Sequence, residues 1–375
     1  MSQLEIFATT AKGVEEVLAR EVEGLGMGDV RQESGGVRFR GTLTDCYRAN
    51  LWFRTANRIL LPLAEFPCET PQALYEGVRT VAWHDWLTPE RTLAVDCNLR
   101  DSALTHSGFV ALKTKDAIVD QLRDRFGSRP SVDTKDPDLR VNVHLVKNRC
   151  TVSLDSSGIP LDRRGYRLAR TEAPLRETLA AAIVALSGWD GTTPLVDPMC
   201  GSGTIPIEAA LLAARRAPGL NRRFGFQRWP SFDGARWREL LAEARELALP
   251  SLPAAIAGRD RLARAVETAQ ENGRRAGVEK LVTFAQCDLN HFMPPAEAGT
   301  LIINPPYGQR LGEEETLKPL YGQIGDVLKQ RCRGYTAWLF TGNRELAKFV
   351  GLKASRRIVL FNGPLECRLL KYEMY

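Results

Sequence analysis

The sequence predicts an α/β protein: a mostly parallel sheet with helices on both faces, preceded by two smaller α+β units. Three observations carry this. From Pro194 onward, short apolar runs alternate with amphipathic stretches, the texture of parallel strands joined by crossover helices. Before residue 160, two successive sets of strand-like runs flank helical stretches. Near the end, "SRRIVLFNGPLECRLLKYEM" sets Asn362–Gly363 between two alternating runs. That is a hairpin signal, and it implies an antiparallel strand at one edge of the sheet.

The elements follow in order. "LEIFATT" reads as a strand, and Ala11, Val14, Leu18, Val22 and Leu25 then share one helix face. "GGVRFRG" alternates as an edge strand does. These belong to a first unit, residues 1–65. In the second, residues 66–160, "TLAVDCNLR" is a strand and "SGFVALKTKDAIVDQLRDRFG" a helix. "RVNVHLVKNRCTVSLDSSG" gives two strands around a turn at Lys147–Asn148. In the third unit, residues 161–375, a helix from about Leu175 to Leu186 leads into strands "PLVD", "AAIAG", "VTFAQCD", "TLIIN" and "YTAWLFTG". Helices "GTIPIEAALLAARR", "RLARAVETAQENGRRAG" and "TLKPLYGQIGDVLKQRC" are interleaved with them. Between Ala214 and Pro253 the pattern breaks, marking a long insertion.

Composition narrows the function. The 375 residues are 44% hydrophobic and 26% charged, ordinary for a soluble globular protein with room for several domains. No apolar run reaches membrane-span length, and the start lacks the pattern of a secretory signal. Eight cysteines form no C-x-x-C pair and four histidines show no ligand spacing, so free thiols, no metal and a cytoplasmic location are expected. Charge is uneven. Residues 1–160 carry 20 Lys+Arg and 22 Asp+Glu, a net −2, whereas residues 161–375 carry 31 and 23, a net +8. The basic part suggests a polyanionic partner.

"LVDPMCGSGTIPIEAA" (195–210) runs from a buried strand through a glycine-rich turn into a helix. Gly201 and Gly203 leave room for a ligand near the backbone, and the helix beginning at Thr204 offers unpaired N–H groups. The turn is no dinucleotide fingerprint, because Pro206 stands at the third glycine position, and no triphosphate loop is present. Asp197, ending the first strand, would repel a pyrophosphate but suits an ammonium or sulfonium group. Asp260 is placed for ribose hydroxyls and Asp288 for an adenine amine. Three acids at three successive strand ends describe a site for S-adenosyl-L-methionine.

"NPPY" (304–307) ends the next strand. Pro305 and Pro306 lack N–H groups, so the turn presents acceptors without competing donors. The Asn304 side-chain oxygen and the Pro305 carbonyl can both accept from one exocyclic NH2. That draws the nitrogen lone pair out of the base and readies it for methyl transfer. Tyr307 can stack on the base, which must be flipped out or single-stranded.

"DPMCGSGT" together with "NPPYG" resembles class I S-adenosylmethionine-dependent methyltransferases that act on amines. Upstream, "HSGFVALKTKDAIVDQLRDRFG", "VNVHLVKNRCTVSLDSSG" and "LDRRGYRLARTEAPLRETLAAAI" resemble a THUMP domain behind a ferredoxin-like domain. The resemblance spans essentially the whole chain. It is strongest to bacterial THUMP-containing guanine-N2 methyltransferases of 23S ribosomal RNA, with related enzymes acting on tRNA. It implies a Rossmann-like domain with a seven-stranded sheet at 161–375, a ferredoxin-like domain at 1–65 and an RNA-binding THUMP domain at 66–160. It further implies that Asp197, Cys200, Gly201, Gly203 and Thr204 form the cofactor loop, with Asp260 at the ribose and Asp288 at the adenine. Leu175 and Glu177, in "APLRE", match the segment that closes over the methionine moiety. Asn304, Pro305, Pro306 and Tyr307 would hold the target amine. The motifs do not separate guanine-N2 from adenine-N6, nor ribosomal RNA from tRNA. A non-catalytic RNA-binding assembly factor is the rival from another class. Some relatives carry a second, C-terminal methyltransferase; with Tyr375 as its last residue, this chain is expected to perform one reaction, as a monomer.

Arg163, Arg164, Arg167 and Arg170 crowd the segment before the last unit. Arg222 and Arg223 stand in the insertion among Phe224, Phe226 and Trp229. The arginines are expected to meet RNA phosphates, the aromatics to pack in a core. Cys200 is read as a small residue that packs closely in the turn, not as a nucleophile.

Overall fold

The computed structural model describes residues 3–167, 175–308 and 313–375. Two sheets organise them. The front sheet holds β1 (Leu4–Thr10), β2 (Gly28–Glu33), β3 (Gly36–Gly41), β4 (Ala56–Pro67), β5 (Thr92–Arg100), β6 (Ser131–Val132), β7 (Leu139–Val146) and β8 (Arg149–Asp155), in the order β2-β3-β1-β4-β8-β7-β5-β6. Its helices are α1 (Glu15–Gly24), α2 (Leu43–Trp52), α3 (Pro71–Arg79) and α4 (Ser107–Phe126). Local chemistry sets several ends. Thr42 and Asp45 form a capping box on α2, and Thr70 caps α3 with Pro71 in its first turn. Lys147 and Asn148 both take positive φ, 49° and 60°, and close the tight β7–β8 hairpin.

Two readings change here. "GGVRFRG" is β3 but not the edge strand; β2, whose "GDVRQE" carries one apolar side chain, lies outside it. The two front units are also joined by a continuous ladder, because the 12-residue β4 pairs with β1 on one side and β8 on the other.

The second sheet holds β9 (Leu195–Asp197), β10 (Ile256–Asp260), β11 (Val282–Gln286), β12 (Gly299–Ile303), β13 (Tyr335–Thr341), β14 (Arg356–Asn362) and β15 (Leu365–Glu373), in the order β11-β10-β9-β12-β13-β15-β14. The first five strands of that order are parallel. β15 runs antiparallel to both β13 and β14, so the reversed strand lies one place in from the edge rather than on it. The two-residue turn fixes only that β14 and β15 pair. Burial decides which goes inside: β15 buries Cys367 and Leu369 on one face and Leu370 and Tyr372 on the other, whereas Arg356 and Arg357 of β14 are exposed.

α5 (Glu177–Leu186) and α6 (Thr204–Ala213) pack on one face of this sheet, where α1 of the front unit joins through Val14 and Val17. The insertion holds α7 (Gly234–Glu246), and α8 (Ala263–Arg275) follows β10. α9 (Glu313–Arg331) and α10 (Arg344–Lys348) cover the other face. The insertion does not rest on this second sheet. Phe224, Phe226, Trp229 and Trp237 are buried in the front unit's core, with Phe226 stacked on Tyr47 at 4.3 Å and Trp229 edge-on to Trp86. The aromatics pack as expected, and they bind the two halves together. All eight cysteines are free thiols. Among the described residues, no helix is long and apolar enough to cross a membrane, and no three His, Cys, Asp or Glu side chains gather as a metal site.

Candidate functional site

β9 is the switch point of the second sheet: β10 lies on one side of it and β12 on the other. Ligands of open α/β sheets bind at the carboxyl ends of strands at such a point. Asp197 ends β9, Asp260 ends β10 and Asn304 follows β12, so all three emerge at one edge. The register Leu195↔Thr300 and Val196↔Leu301 sets Asp197 beside Ile302, one strand spacing of about 4.8 Å away.

The glycine turn is built by its own hydrogen bonds. The Cys200 N–H donates to the Arg259 carbonyl at 2.8 Å, and Gly203 N–H to the Cys200 carbonyl at 2.8 Å. Asp260 accepts from Gly201 N–H and Leu262 N–H, both at 2.9 Å, so it ties β10 to the turn. Asn272, fully buried on α8, donates to the Ser202 carbonyl at 3.0 Å. The two glycines differ. Gly203, at φ +82°, has no room for a side chain: a Cβ would lie 2.9 Å from Ala269 and Phe284. Gly201, at φ +52°, faces open space. Only Gly201 offers its face to a ligand; Gly203 makes room for the protein itself.

Asp197 is 2% exposed and accepts from Met199 N–H at 3.0 Å. Burial pushes its carboxyl up to about 8, with the Asp260 charge adding to the rise and the Met199 bond opposing it. A buried carboxyl in that state regains its charge when a cation arrives. The Cys200 thiol is pushed far up by burial and by Asp197 and Asp260. Its sulfur packs toward Gly258, where a Cβ would lie 3.0 Å away. Asp288 is exposed after β11 and accepts from Asn290 N–H at 2.8 Å.

At the second strand end, Asn304 Oδ1 is buried and has no hydrogen-bond partner among the described residues. Pro305 is buried and Pro306 exposed. An orphaned buried acceptor costs about 1–3 kcal/mol, so this oxygen is waiting for a donor. The Tyr307 ring lies against Gly342, where a Cβ would come within 3.0 Å, and its hydroxyl accepts from Asn362 Nδ2 at 3.3 Å.

The arginines divide. Arg164 is 6% exposed and its Nε pairs with Glu208 at 3.5 Å; Tyr166 donates to the same carboxylate at 3.0 Å. Arg167 pairs with Glu177 at 3.3 Å and donates to the Leu175 carbonyl at 2.8 Å and to Thr204 Oγ1 at 2.9 Å. Burial pushes Glu177 up to about 7 against the pull of Arg167. Arg222 caps the carbonyls of Ile159, Pro160 and Arg163, and burial together with Arg164 pushes it down to about 10. These three guanidiniums therefore turn inward, because buried carboxylates or carbonyls claim them. Arg163 and Arg223 are exposed, and Arg170 lies outside the described residues. Leu175 is buried in the core between α5, α6 and the second sheet.

Sequence reasoning missed Asn272, Glu208, Gly342 and Asn362. Each acts on a partner at least 35 residues away, and no local pattern marks it.

The RMKL-like methyltransferase domain family matches residues 164–371, the THUMP domain family residues 68–155 and the RlmL ferredoxin-like domain family residues 5–60. The protein called "Putative RNA methyltransferase slr0064", from Synechocystis sp., is 44% identical over 98% of this chain and 96% of its own length. "Ribosomal RNA large subunit methyltransferase K/L" of Syntrophotalea carbinolica is 46% identical over 99% of this chain and 54% of its own length. The chain thus spans about half the length of the K/L relatives it matches. A solved structure described as "SMU.472, a putative methyltransferase complexed with SAH" superposes with a TM-score of 0.91 at 34% identity, covering 100% of this chain and 99% of that one. With a match across its catalytic half and full-length relatives at this identity, the chain belongs to the RMKL-like methyltransferase family, carrying THUMP and RlmL-type ferredoxin-like domains ahead of the methyltransferase domain.

Proposed function

We propose that this protein transfers a methyl group from S-adenosyl-L-methionine to the exocyclic N2 amine of a guanine in 23S ribosomal RNA. The observation that carries the reading is the buried, unpartnered Asn304 Oδ1 beside the glycine turn. The K/L relatives, which are named as large-subunit ribosomal RNA methyltransferases, supply the substrate class.

The residues fit the cofactor. The open face of Gly201 gives backbone approach, and the buried Asp197 carboxyl suits its cationic end. Asp260 and Asp288 stand at the next two strand ends for the ribose and the adenine, and Leu175, Glu177 and Thr204 close the same edge. When bound, S-adenosylmethionine supplies an electrophilic methyl group on a sulfonium. Asn304 Oδ1 and the Pro305 carbonyl accept from the guanine NH2, and their pull grows as the nitrogen becomes positive, so they favour the transition state over the ground state. Asn304 is an amide and takes no proton. The proton shed by the nitrogen passes to water at the exposed side of Pro306. Tyr307, held by Gly342 and Asn362, stacks on the base.

The proposal extends to a monomeric, cytoplasmic enzyme with domains at 1–65, 66–160 and 161–375, whose exposed Arg163 and Arg223 meet RNA phosphate. Methyl transfer from labelled S-adenosylmethionine onto unmodified 23S RNA, followed by nucleoside mass spectrometry, tests it. N2-methylguanosine is the expected product. N6-methyladenosine, or acceptance by tRNA alone, would reassign the substrate. No uptake of S-adenosylhomocysteine would leave a binding factor.

A further inference from the structure

We propose that the cleft between the front unit and the catalytic sheet grips the sugar–phosphate backbone of the RNA nucleotide adjoining the target base. The inference rests on the function proposed above and assigns it a second contact.

The cleft encloses about 370 Å3 and is lined by Thr10, Lys12, Asn57, Arg176, Phe361 and Gly363, among others. Its walls come from four places: the β1–α1 turn, the start of β4, the start of α5 and the β14–β15 turn. The volume is at the small end for ligand pockets, with room for one nucleotide and none for a duplex. Among the described residues no carboxylate lines it, and two cations do. The Arg176 side chain is half exposed, and the acid it pairs with among the described residues, Asp162, is 3.9 Å away, beyond hydrogen-bond range. Lys12 Nζ sits 5.1 Å above the Phe361 ring. That pairing keeps the ammonium over the cleft without neutralising it. Its backbone is anchored as well. The adjoining Gly13, at φ +90°, lies so close to β14 that a Cβ would meet the Val359 carbonyl at 2.4 Å.

The position is what gives the cleft a role. β14 runs parallel to β12 and β13, so Asn362 emerges at the same edge as Asn304. Asn362, between Phe361 and Gly363, donates to the Tyr307 hydroxyl. On the other wall, Arg176 sits between Leu175 and Glu177, which Arg167 fastens to Thr204 of the glycine turn. The cleft therefore touches both halves of the candidate site. A strand whose base is turned into the corner at Asn304 must carry its neighbouring phosphate past this edge. Lys12 and Arg176 meet it there as a point charge and a planar fork.

The test is binding of in-vitro-transcribed, unmodified 23S RNA to the full chain across a range of KCl concentrations, with S-adenosylhomocysteine affinity measured in parallel. The Lys12→Ala/Arg176→Ala double variant is expected to bind the RNA at least tenfold more weakly. Its log Kd against log[salt] is expected to be shallower by about 1.4, two single-strand phosphate contacts at about 0.7 each. Lys12→Arg/Arg176→Lys should recover most of the loss. S-adenosylhomocysteine affinity unchanged in the double variant shows that the fold survives. Unaltered affinity and slope in the double variant, with the wild type methylating the transcript, would overturn the cleft and leave the function standing. A wild type that neither binds nor methylates the transcript would overturn both.

Discussion

The two strand ends that frame the site are built in opposite ways. At the glycine turn, polar groups are satisfied within the chain: Asp260 accepts from Gly201 and Leu262, Asn272 donates to Ser202, and Asp197 accepts from Met199. At the proline corner, the buried Asn304 Oδ1 has no partner among the described residues. The first arrangement holds a cradle in shape before anything binds. The second leaves an unmet acceptor that, in the reaction proposed above, a donor on the substrate satisfies. Preorganisation serves affinity, and a deliberately unmet group serves rate, because its energy is recovered only when the reacting amine is in place.

The largest effect that would break this comparison is expected at Asn304. Asn304→Ala should lower kcat by about 10²–10³-fold, with calorimetric affinity for S-adenosylhomocysteine unchanged. Equal loss of both would make the corner a structural turn. Next come the glycines, which should separate stability from binding. Gly203→Ala adds a Cβ against Ala269 and Phe284 at positive φ and should destabilise the fold by about 1–3 kcal/mol, read as a lower Tm. Gly201→Ala meets open space, so its loss of Tm should be smaller while its loss of ligand affinity is the greater.

Asp197 sharpens the comparison through pH. Its folded-state pKa, about 8, lies above the ordinary value of 3.8. Between those two values the native state holds a proton that the unfolded chain has lost, so stability falls as pH rises from about 4 to about 8. Asp197→Asn should flatten that part of the Tm–pH curve. S-adenosylmethionine binding should release a proton below pH 8, detectable as a buffer-dependent binding enthalpy. The smallest effect is expected at Asn272→Ala. Removing one donor from the Ser202 carbonyl should weaken S-adenosylhomocysteine about fivefold, in keeping with a net hydrogen bond of about 1 kcal/mol.

What the sequence revealed follows the range of the forces involved. Strand ends and turns depend on neighbours a few residues away, so Leu4–Thr10, Thr92–Arg100 and the turn at Lys147–Asn148 were legible. β4 was not, because Pro62 interrupts its apolar run and its pairing with β8 spans about 90 residues. The arginine clusters show the same limit more sharply. Charge counts identified a basic half, but the direction of a guanidinium depends on which acid it meets. Glu208 and Glu177 draw Arg164 and Arg167 inward, and nothing near those arginines in sequence announces it. The insertion aromatics were legible as core, yet their partners Tyr47 and Trp86 lie more than 140 residues upstream. The glycine turn and the proline corner are each contiguous in sequence, and the sheet brings the two to one edge.

A crystal structure of the full chain with S-adenosylhomocysteine tests the central claim most directly. The account predicts the ligand against the open face of Gly201, its amino-acid end toward Asp197 and its sulfur turned toward Asn304 Oδ1, across a gap that a methyl group and an amine would fill. A ligand seated away from the glycine turn, or an Asn304 oxygen already bonded within the protein and facing away from the sulfur, would contradict it.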